Sequence, residues 1–227
     1  METYENWWQE GSHGDQEMEN SHYEGWQNVI DLIDKKDIQN RTILDFGCNQ
    51  GGFLRHLHDR IPFSNAYGVD LAKKAIEVAK SRVADYPIHY INTDDVTTLD
   101  TKFDTVISTS VLYLIEDLDS HFEKISAVLK DEGVYYASFS DQSKNPSMEY
   151  MKEKIDKYGA TKMQNKTLTE VVDSLVKQGF SVELIKEYRE PIYQVTHYRE
   201  FYLSVDDYIL SCENSYLIKA TKKGEKQ

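Results

Sequence analysis

The sequence predicts an open α/β sheet of seven mostly parallel strands, with helices on both faces and helical or aromatic insertions laid over one end. Three observations predict it. Short β-rich apolar runs alternate with helix-period segments from residue 21 onward. A glycine-rich turn follows directly on the first of those runs, and the alternation is interrupted after the fifth run and again after the sixth.

The first helix is expected before the first strand, where Ser21 and Glu24 have the spacing of a capping box and Trp26, Val29, Ile30 and Ile33 recur at helical period. Strands are expected at 42–46, 66–70, 88–92, 103–109 and 134–140, separated by helices near 51–60, 71–85 and 117–130. In the helix near 71–85, Ala72, Ala75, Ile76, Ala79 and Val83 form a narrow stripe, and small residues there let it lie close on the sheet. After the fifth strand, Asn145-Pro146 starts a helix carrying Met148, Met151, Ile155 and Tyr158, read as an inserted lid. Residues 167–178 form a further helix ended by Gly179, 180–187 a sixth strand and 215–221 a last strand. Between those two strands lies a segment with Tyr188, Tyr193, Tyr198, Tyr202 and Tyr208, too long for a tight hairpin and read as a second lid.

A chain of 227 residues accommodates one such domain over its whole length, 1–227. It divides into a cap at 1–40, a core at 41–140, and lids at 141–166 and 188–213. With 39 acidic against 26 basic residues the formal charge is −13, so a nucleic-acid partner works against the chain's own field. The sole basic cluster is Lys219, Lys222, Lys223 and Lys226, expected to be a solvated tail. The two cysteines, Cys48 and Cys212, have no metal-ligand spacing, and the scattered histidines add none, so no metal site is expected. The reduced cysteines, the acidic aromatic start and the lack of a long apolar run lead to a cytoplasmic expectation, without membrane contact. The aromatic start, with Tyr4, Trp7, Trp8 and His13, either folds over the cleft or packs on the outside, where a homodimer contact is one possibility.

The chemistry concentrates at the carboxyl ends of the strands. Asp45-Phe46-Gly47-Cys48-Asn49-Gln50-Gly51 takes an apolar strand through an acid into a glycine turn, a place where ligands approach backbone directly. Gly68-Val69-Asp70 ends the second strand in an acid suited either to ribose hydroxyls or to capping the helix from Leu71. Asp94, Asp95 and Val96 follow the third strand, and Thr109, Ser110, Val111 and Tyr113 follow the fourth.

Asp45-x-Gly47-x-Asn49-x-Gly51 resembles the first motif of class I, Rossmann-like S-adenosylmethionine (SAM)-dependent methyltransferases, and the resemblance runs over about 21–187 and the last strand. It departs at Asn49, where the family has glycine; asparagine is the residue that best tolerates a left-handed turn in its place. The resemblance implies SAM as cofactor and S-adenosylhomocysteine as product. Asp45 and the backbone of Gly47 would hold its amino-acid end, Asp70 the ribose, and Asp94, Asp95 and Val96 the adenine, Asp95 and Val96 fitting best, with Asn49, Gly51 and Leu71 also in the cofactor site. Thr109, Ser110 and Val111 would line the cofactor. The implied reaction is in-line displacement of the methyl, helped mainly by orientation, worth up to ~7–11 kcal/mol, and by exclusion of water. A base, where one is needed, comes from Tyr113, His197 or Glu24, although Tyr113 can equally pack beside the adenosine and His197 lie on a lid surface.

The fourth strand is followed by neither Asn-Pro-Pro-Tyr nor Asp-Pro-Pro-Tyr, which argues against amino-methylation of nucleic-acid bases or protein glutamine. The aromatic and methionine-rich insertions point to a small-molecule acceptor. A tRNA or protein acceptor, a non-catalytic SAM-binding protein and an NAD-dependent oxidoreductase are the alternatives, the last disfavoured by the glycine spacing.

Overall fold

The computed structural model describes residues 14–158, 161–187 and 192–224. Seven strands form one sheet: β1 (Thr42–Phe46), β2 (Asn65–Asp70), β3 (Ile88–Asn92), β4 (Phe103–Ser108), β5 (Leu129–Ser140), β6 (Phe180–Lys186) and β7 (Ser215–Lys222). Their order is β3-β2-β1-β4-β5-β7-β6, with β7 antiparallel to both of its neighbours and the remaining pairs parallel. β6 therefore runs in the same direction as β5, and six strands point their carboxyl ends to one rim.

Alternation along the strands builds a core on each face. Ile43, Ile107 and Tyr136 meet the helices α1 (Gly14–Leu32), α3 (Gly52–Arg60) and α4 (Lys73–Ser81). Their neighbours Leu44, Val106 and Tyr135 face α5 (Leu118–Val128) and α7 (Leu168–Lys177). A short helix, α2 (Lys35–Ile38), links α1 to the sheet. Thr167 and Glu170 close α7 with a reciprocal capping box, and Gly179 (φ +87°) ends the turn that follows it.

Several expectations are corrected. α1 runs from Gly14, so Ser21 and Glu24 lie inside it; the Asp, Gln, Glu and Met residues upstream are compatible with continued helix. α4 spans only 73–81, leaving Ala72 as its N-cap and Val83 beyond its end, where Ala84 (φ +45°) turns the chain back. β5 begins five residues early because Leu129 pairs with Phe103 ahead of a register shift.

Two lysines of the basic cluster are built into the fold, while Lys223 is exposed as expected. Lys219 is buried in β7 and ion-paired with Asp34 and, at 3.1 Å, with Asp37, while Lys222 donates to the carbonyls of Ser126 and Leu129. Asp37 also accepts from the Tyr136 hydroxyl at 2.7 Å, so Lys219 ties α2 to the sheet. Tyr4, Trp7, Trp8, His13, Tyr188 and Lys226 lie outside the described residues.

The two insertions contain α6 (Met148–Tyr158) and a helix the patterning missed, α8 (Val205–Glu213), capped by the Ser204 hydroxyl accepting from the Asp207 amide. They are bonded to each other. Asn145 donates its side-chain amide to Gln142 and to the Asp207 carbonyl and accepts from the Ser147 amide. The Ser147 hydroxyl then donates to the Asp207 carboxylate and accepts from the Leu203 amide. Gln142 reaches the Ser211 hydroxyl at 2.6 Å. What reads as two lids in sequence is one cross-bonded cap.

Candidate active site

Asp45 lies in the centre of the sheet, between Gly68 of β2 and Ile107 of β4. It is 1% exposed and neither carboxylate oxygen has a hydrogen-bond partner. Burial, with the charge of Asp70 nearby, pushes its carboxyl up to about 8. Buried polar groups are almost always paired, so a carboxyl held this way is prepared for a donor that arrives with a ligand.

The turn beyond it passes through left-handed geometry three times, at Gly47 (φ +83°), Asn49 (φ +46°) and Gly51 (φ +75°). Asn49 thus takes the conformation for which asparagine is the best substitute for glycine. The room left by the glycines is filled by protein. A Cβ on Gly47 would come within 2.5 Å of Val111, and one on Gly51 within 2.2 Å of the Tyr90 hydroxyl, which itself donates to the Gly51 carbonyl.

The turn's amides are largely used as well. Those of Gly47 and Cys48 donate to the Val69 carbonyl, that of Gly51 to Cys48, and that of Asn49 to the Asp70 carboxylate at 2.9 Å. A pyrophosphate at this position depends on free amides at a helix start. This turn instead offers an unpaired acid, which suits a cationic ligand group.

Asp70, at the end of β2, accepts from Asn49 on one oxygen and from the Ala72 amide at 2.8 Å on the other, so it both braces the turn and starts α4. The Leu71 amide also bears on this carboxylate, and burial raises its carboxyl above the ordinary range. Leu71 beside it is exposed. Asp95 caps the 3₁₀ turn Val96–Thr98, with the amide and hydroxyl of Thr97 and the more distant Lys124 all meeting Oδ1; among the described residues Oδ2 has no such contact. Asp94 is exposed, and Val96 is wholly buried. Past β4, Thr109 leads to Ser110 (φ +56°), whose amide donates to the Ser138 hydroxyl, and to Val111 against Gly47.

Next to Ser110 opens a cavity of about 240 Å³. Its apolar wall is Phe139, Met151, Ile155, Met163, Phe201 and Tyr202, from β5 and both insertions. Tyr113 forms part of the lining, packed on Met148, Met151 and Met163, while its carbonyl accepts from the Gln164 amide at 2.7 Å. Burial lifts its hydroxyl to about 12, which suits a hydrogen-bond donor and not a base at neutral pH. Lys166 and Glu187 are the charged residues of the lining. Lys166 donates to the Glu116 carbonyl.

Residues 44–135 match the family model of a methyltransferase domain. Over that stretch the chain is similar to a methyltransferase domain. Over 107 residues it is 30% identical to the malonyl-[acyl-carrier protein] O-methyltransferase of Acetivibrio thermocellus, a match spanning 47% of this chain and 38% of that protein. Among solved structures, a chain of the complex between the Haloferax volcanii Trm112 methyltransferase activator and a methyltransferase superposes with a TM-score of 0.72 at 16% identity, over 93% of this chain and 95% of that one. A SAM-dependent methyltransferase from Mesorhizobium loti gives 0.68 at 21% identity, over 88% and 97%.

The family match ends at residue 135, so it takes in the turn, Asp70, Asp95, Ser110 and Tyr113 but neither insertion. The structure brings Asp45, Gly47, Asn49, Gly51, Asp70 and Val111 together around one turn. It does not bring His197 to the cavity: the ring is 81% exposed and lies 3.8 Å from Glu200, because it starts an exposed 3₁₀ turn of the second insertion. Glu24 is exposed on α1 and is no part of the lining.

Sequence reasoning missed Glu187 and Tyr90. Glu187 had a legible signal, an acid just past a strand that runs parallel to the first five, the same rule that singles out Asp45 and Asp70. Among the described residues no cluster of three or more His, Cys, Asp or Glu is arranged for a metal, and no helix is long and apolar enough to cross a membrane.

Proposed function

We propose that the protein transfers a methyl group from SAM to a small molecule held in the cavity beside Ser110. The observation that carries the cofactor assignment is Asp45, a buried carboxyl with no partner at a turn whose amides are already occupied. The amino-acid end of SAM offers an ammonium of the required charge, and Asp45 would receive it with the backbone near Gly47 and Asn49. Asp70 would accept from the ribose hydroxyls, and Asp95 from the adenine amino group through Oδ2, beside Val96. When bound, SAM supplies a methyl group on a sulfonium centre that is already activated for displacement.

The protein's own part is positioning. Val111 against Gly47 and Ser110 at the cavity join the cofactor turn to the acceptor space, so orientation supplies the largest share of the rate. The cross-bonded cap keeps water from the reacting atoms. A volume of about 240 Å³ lies below the ~300–1,000 Å³ usual for drug-sized ligands, and Lys219 and Lys222, two members of the basic cluster, are engaged within the fold. Both features support a compact organic acceptor over RNA.

Calorimetric titration with SAM, S-adenosylhomocysteine and NAD tests the reading. Binding of the first two and not the third is expected. SAM binding near neutral pH should also release up to one proton as Asp45 ionises against the ammonium, seen as a dependence of the apparent enthalpy on the buffer. Tight NAD binding, or no binding by SAM and S-adenosylhomocysteine, overturns the assignment.

A further inference from the structure

Glu187 is the acid of the cavity to which no role has been given. It follows β6 at the strand end that faces the same rim as Asp45 and Asp70, and its amide is fixed to the Ser215 carbonyl of β7 at 3.2 Å. Its carboxylate makes no hydrogen bond or ion pair among the described residues. The other charge of the lining, Lys166, is turned to the Glu116 carbonyl. Of the other polar lining, Gln142 donates to Ser140 and Ser211, the Tyr202 hydroxyl shares a 2.8 Å hydrogen bond with Ser211 and Gln164 donates to the Lys162 carbonyl, while Asn165 adds an amide to the cavity. The cavity that Glu187 lines also has an apolar part, from Phe139, Met151, Ile155, Met163 and Phe201.

A part-buried carboxylate lining a cavity, with no partner among the described residues, is free to accept from a donor on whatever fills the space. We infer that the cavity takes an acceptor with a compact apolar or aromatic body and an O–H or N–H group, and that Glu187 accepts the hydrogen bond of that group. This rests on the reading of the protein as a methyltransferase. It narrows the accepting atom to oxygen or nitrogen. In the transfer the acceptor's O or N forms a bond to the methyl carbon as the carbon–sulfur bond breaks, the sulfur keeping the electron pair. The proton displaced from the acceptor passes to the Glu187 carboxylate and from there to solvent. Desolvation raises this carboxyl above the ordinary glutamate range, which makes it a stronger proton acceptor than an exposed glutamate. Tyr113, whose hydroxyl stays protonated, is left to donate to the acceptor.

The probes are benzylamine, phenol, toluene and benzoate, ring compounds of similar size that differ in the donor. Their binding to the protein saturated with S-adenosylhomocysteine is measured by ligand-observed NMR, beside a calorimetric titration of S-adenosylhomocysteine itself. Benzylamine or phenol should bind at least roughly tenfold more tightly than toluene and benzoate, as a charge-assisted hydrogen bond in an apolar site predicts. Glu187→Gln, close to isosteric, should remove that preference while leaving the thermal midpoint and the affinity for S-adenosylhomocysteine unchanged. Glu187→Leu should shift the preference to toluene. Equal binding of all four probes, stronger binding of benzoate, or an unaltered preference in Glu187→Gln overturns the inference. Failure of the S-adenosylhomocysteine titration instead strikes the methyltransferase reading.

Discussion

Two aspartates near the same rim of the sheet are almost equally hidden from solvent and have opposite meanings. Asp207, in the cap, is 9% exposed and satisfied: its carboxylate accepts from Ser147, its amide donates to Ser204 and its carbonyl accepts from Asn145. Asp45, under the glycine turn, is 1% exposed, and its carboxylate has no partner among the described residues. Burial of an acid is therefore no sign of function by itself. A buried acid whose partners are all present holds structure together, and one whose partners are missing marks a place where a ligand completes the fold.

The sharpest way to break that contrast is the pH dependence of stability, which should carry a large contribution from Asp45. Its carboxyl titrates at about 8 in the folded chain against 3.8 unfolded. Between those values the folded state holds a proton that the unfolded state has lost. Stability from this group is thus fully present below about pH 4 and is lost as pH rises toward 8, at about 1.4 kcal/mol per pH unit. The buried His121, depressed to about 4, has the opposite slope below its unfolded value of 6.5. The difference in unfolding free energy between the wild type and Asp45→Asn cancels that background. Urea melts across the window should show Asp45→Asn gaining on the wild type as pH rises, and saturating SAM should flatten the wild-type curve. A difference that does not vary with pH would mean that Asp45 has a partner in the folded protein.

The satisfied side yields a smaller, purely structural effect. Asn145→Ala removes three hydrogen bonds, one of which joins the insertions, and strands the amide of Ser147, at a cost of roughly 2–3 kcal/mol. SAM affinity should be unchanged, since the matched region 44–135 does not include this network. A parallel loss of SAM binding would show that cap and cofactor turn are one unit. Asp70 stands between the two cases because it is already bonded to Asn49 and Ala72. Asp70→Ala should weaken SAM binding by about 1–3 kcal/mol and loosen the start of α4 as well. An unchanged SAM titration would reduce Asp70 to a structural brace.

How much of this was legible in the chain follows from the same distinction. The sheet was legible because alternation and helix periodicity are local, and Asp45, Asp70 and the turn were legible because strand ends are. The cross-bonding of the insertions was not, since Asn145 and Asp207 stand 62 residues apart and a polar side chain gives no sign in sequence of which distant group satisfies it. α8 escaped because the segment was read for its spaced tyrosines and the Ser204-to-Asp207 cap was passed over. His197 drew notice through its chemistry, and its exposure on a short 3₁₀ turn is a tertiary fact. The expectation that glycine leaves space for a ligand was half right: Val111 and Tyr90 take that space, and the left-handed backbone is what the glycines supply.

The smallest expected effect is at Asn49, where the family motif has glycine. The residue is already in left-handed geometry at φ +46°, and its contact with Asp70 is made by the backbone amide. Asn49→Gly keeps that amide. It relieves the strain of a side chain in this region but frees the unfolded chain, two terms of about 0.5–1 kcal/mol and opposite sign. Stability should move by less than about 1 kcal/mol and SAM affinity by less than about twofold. Asn49→Val sharpens the point, since a β-branched residue is a poor fit to this φ and should cost both stability and binding. A large gain in SAM affinity for Asn49→Gly would show instead that the asparagine side chain stands in the cofactor's way, and that the turn's departure from the family pattern weakens the site.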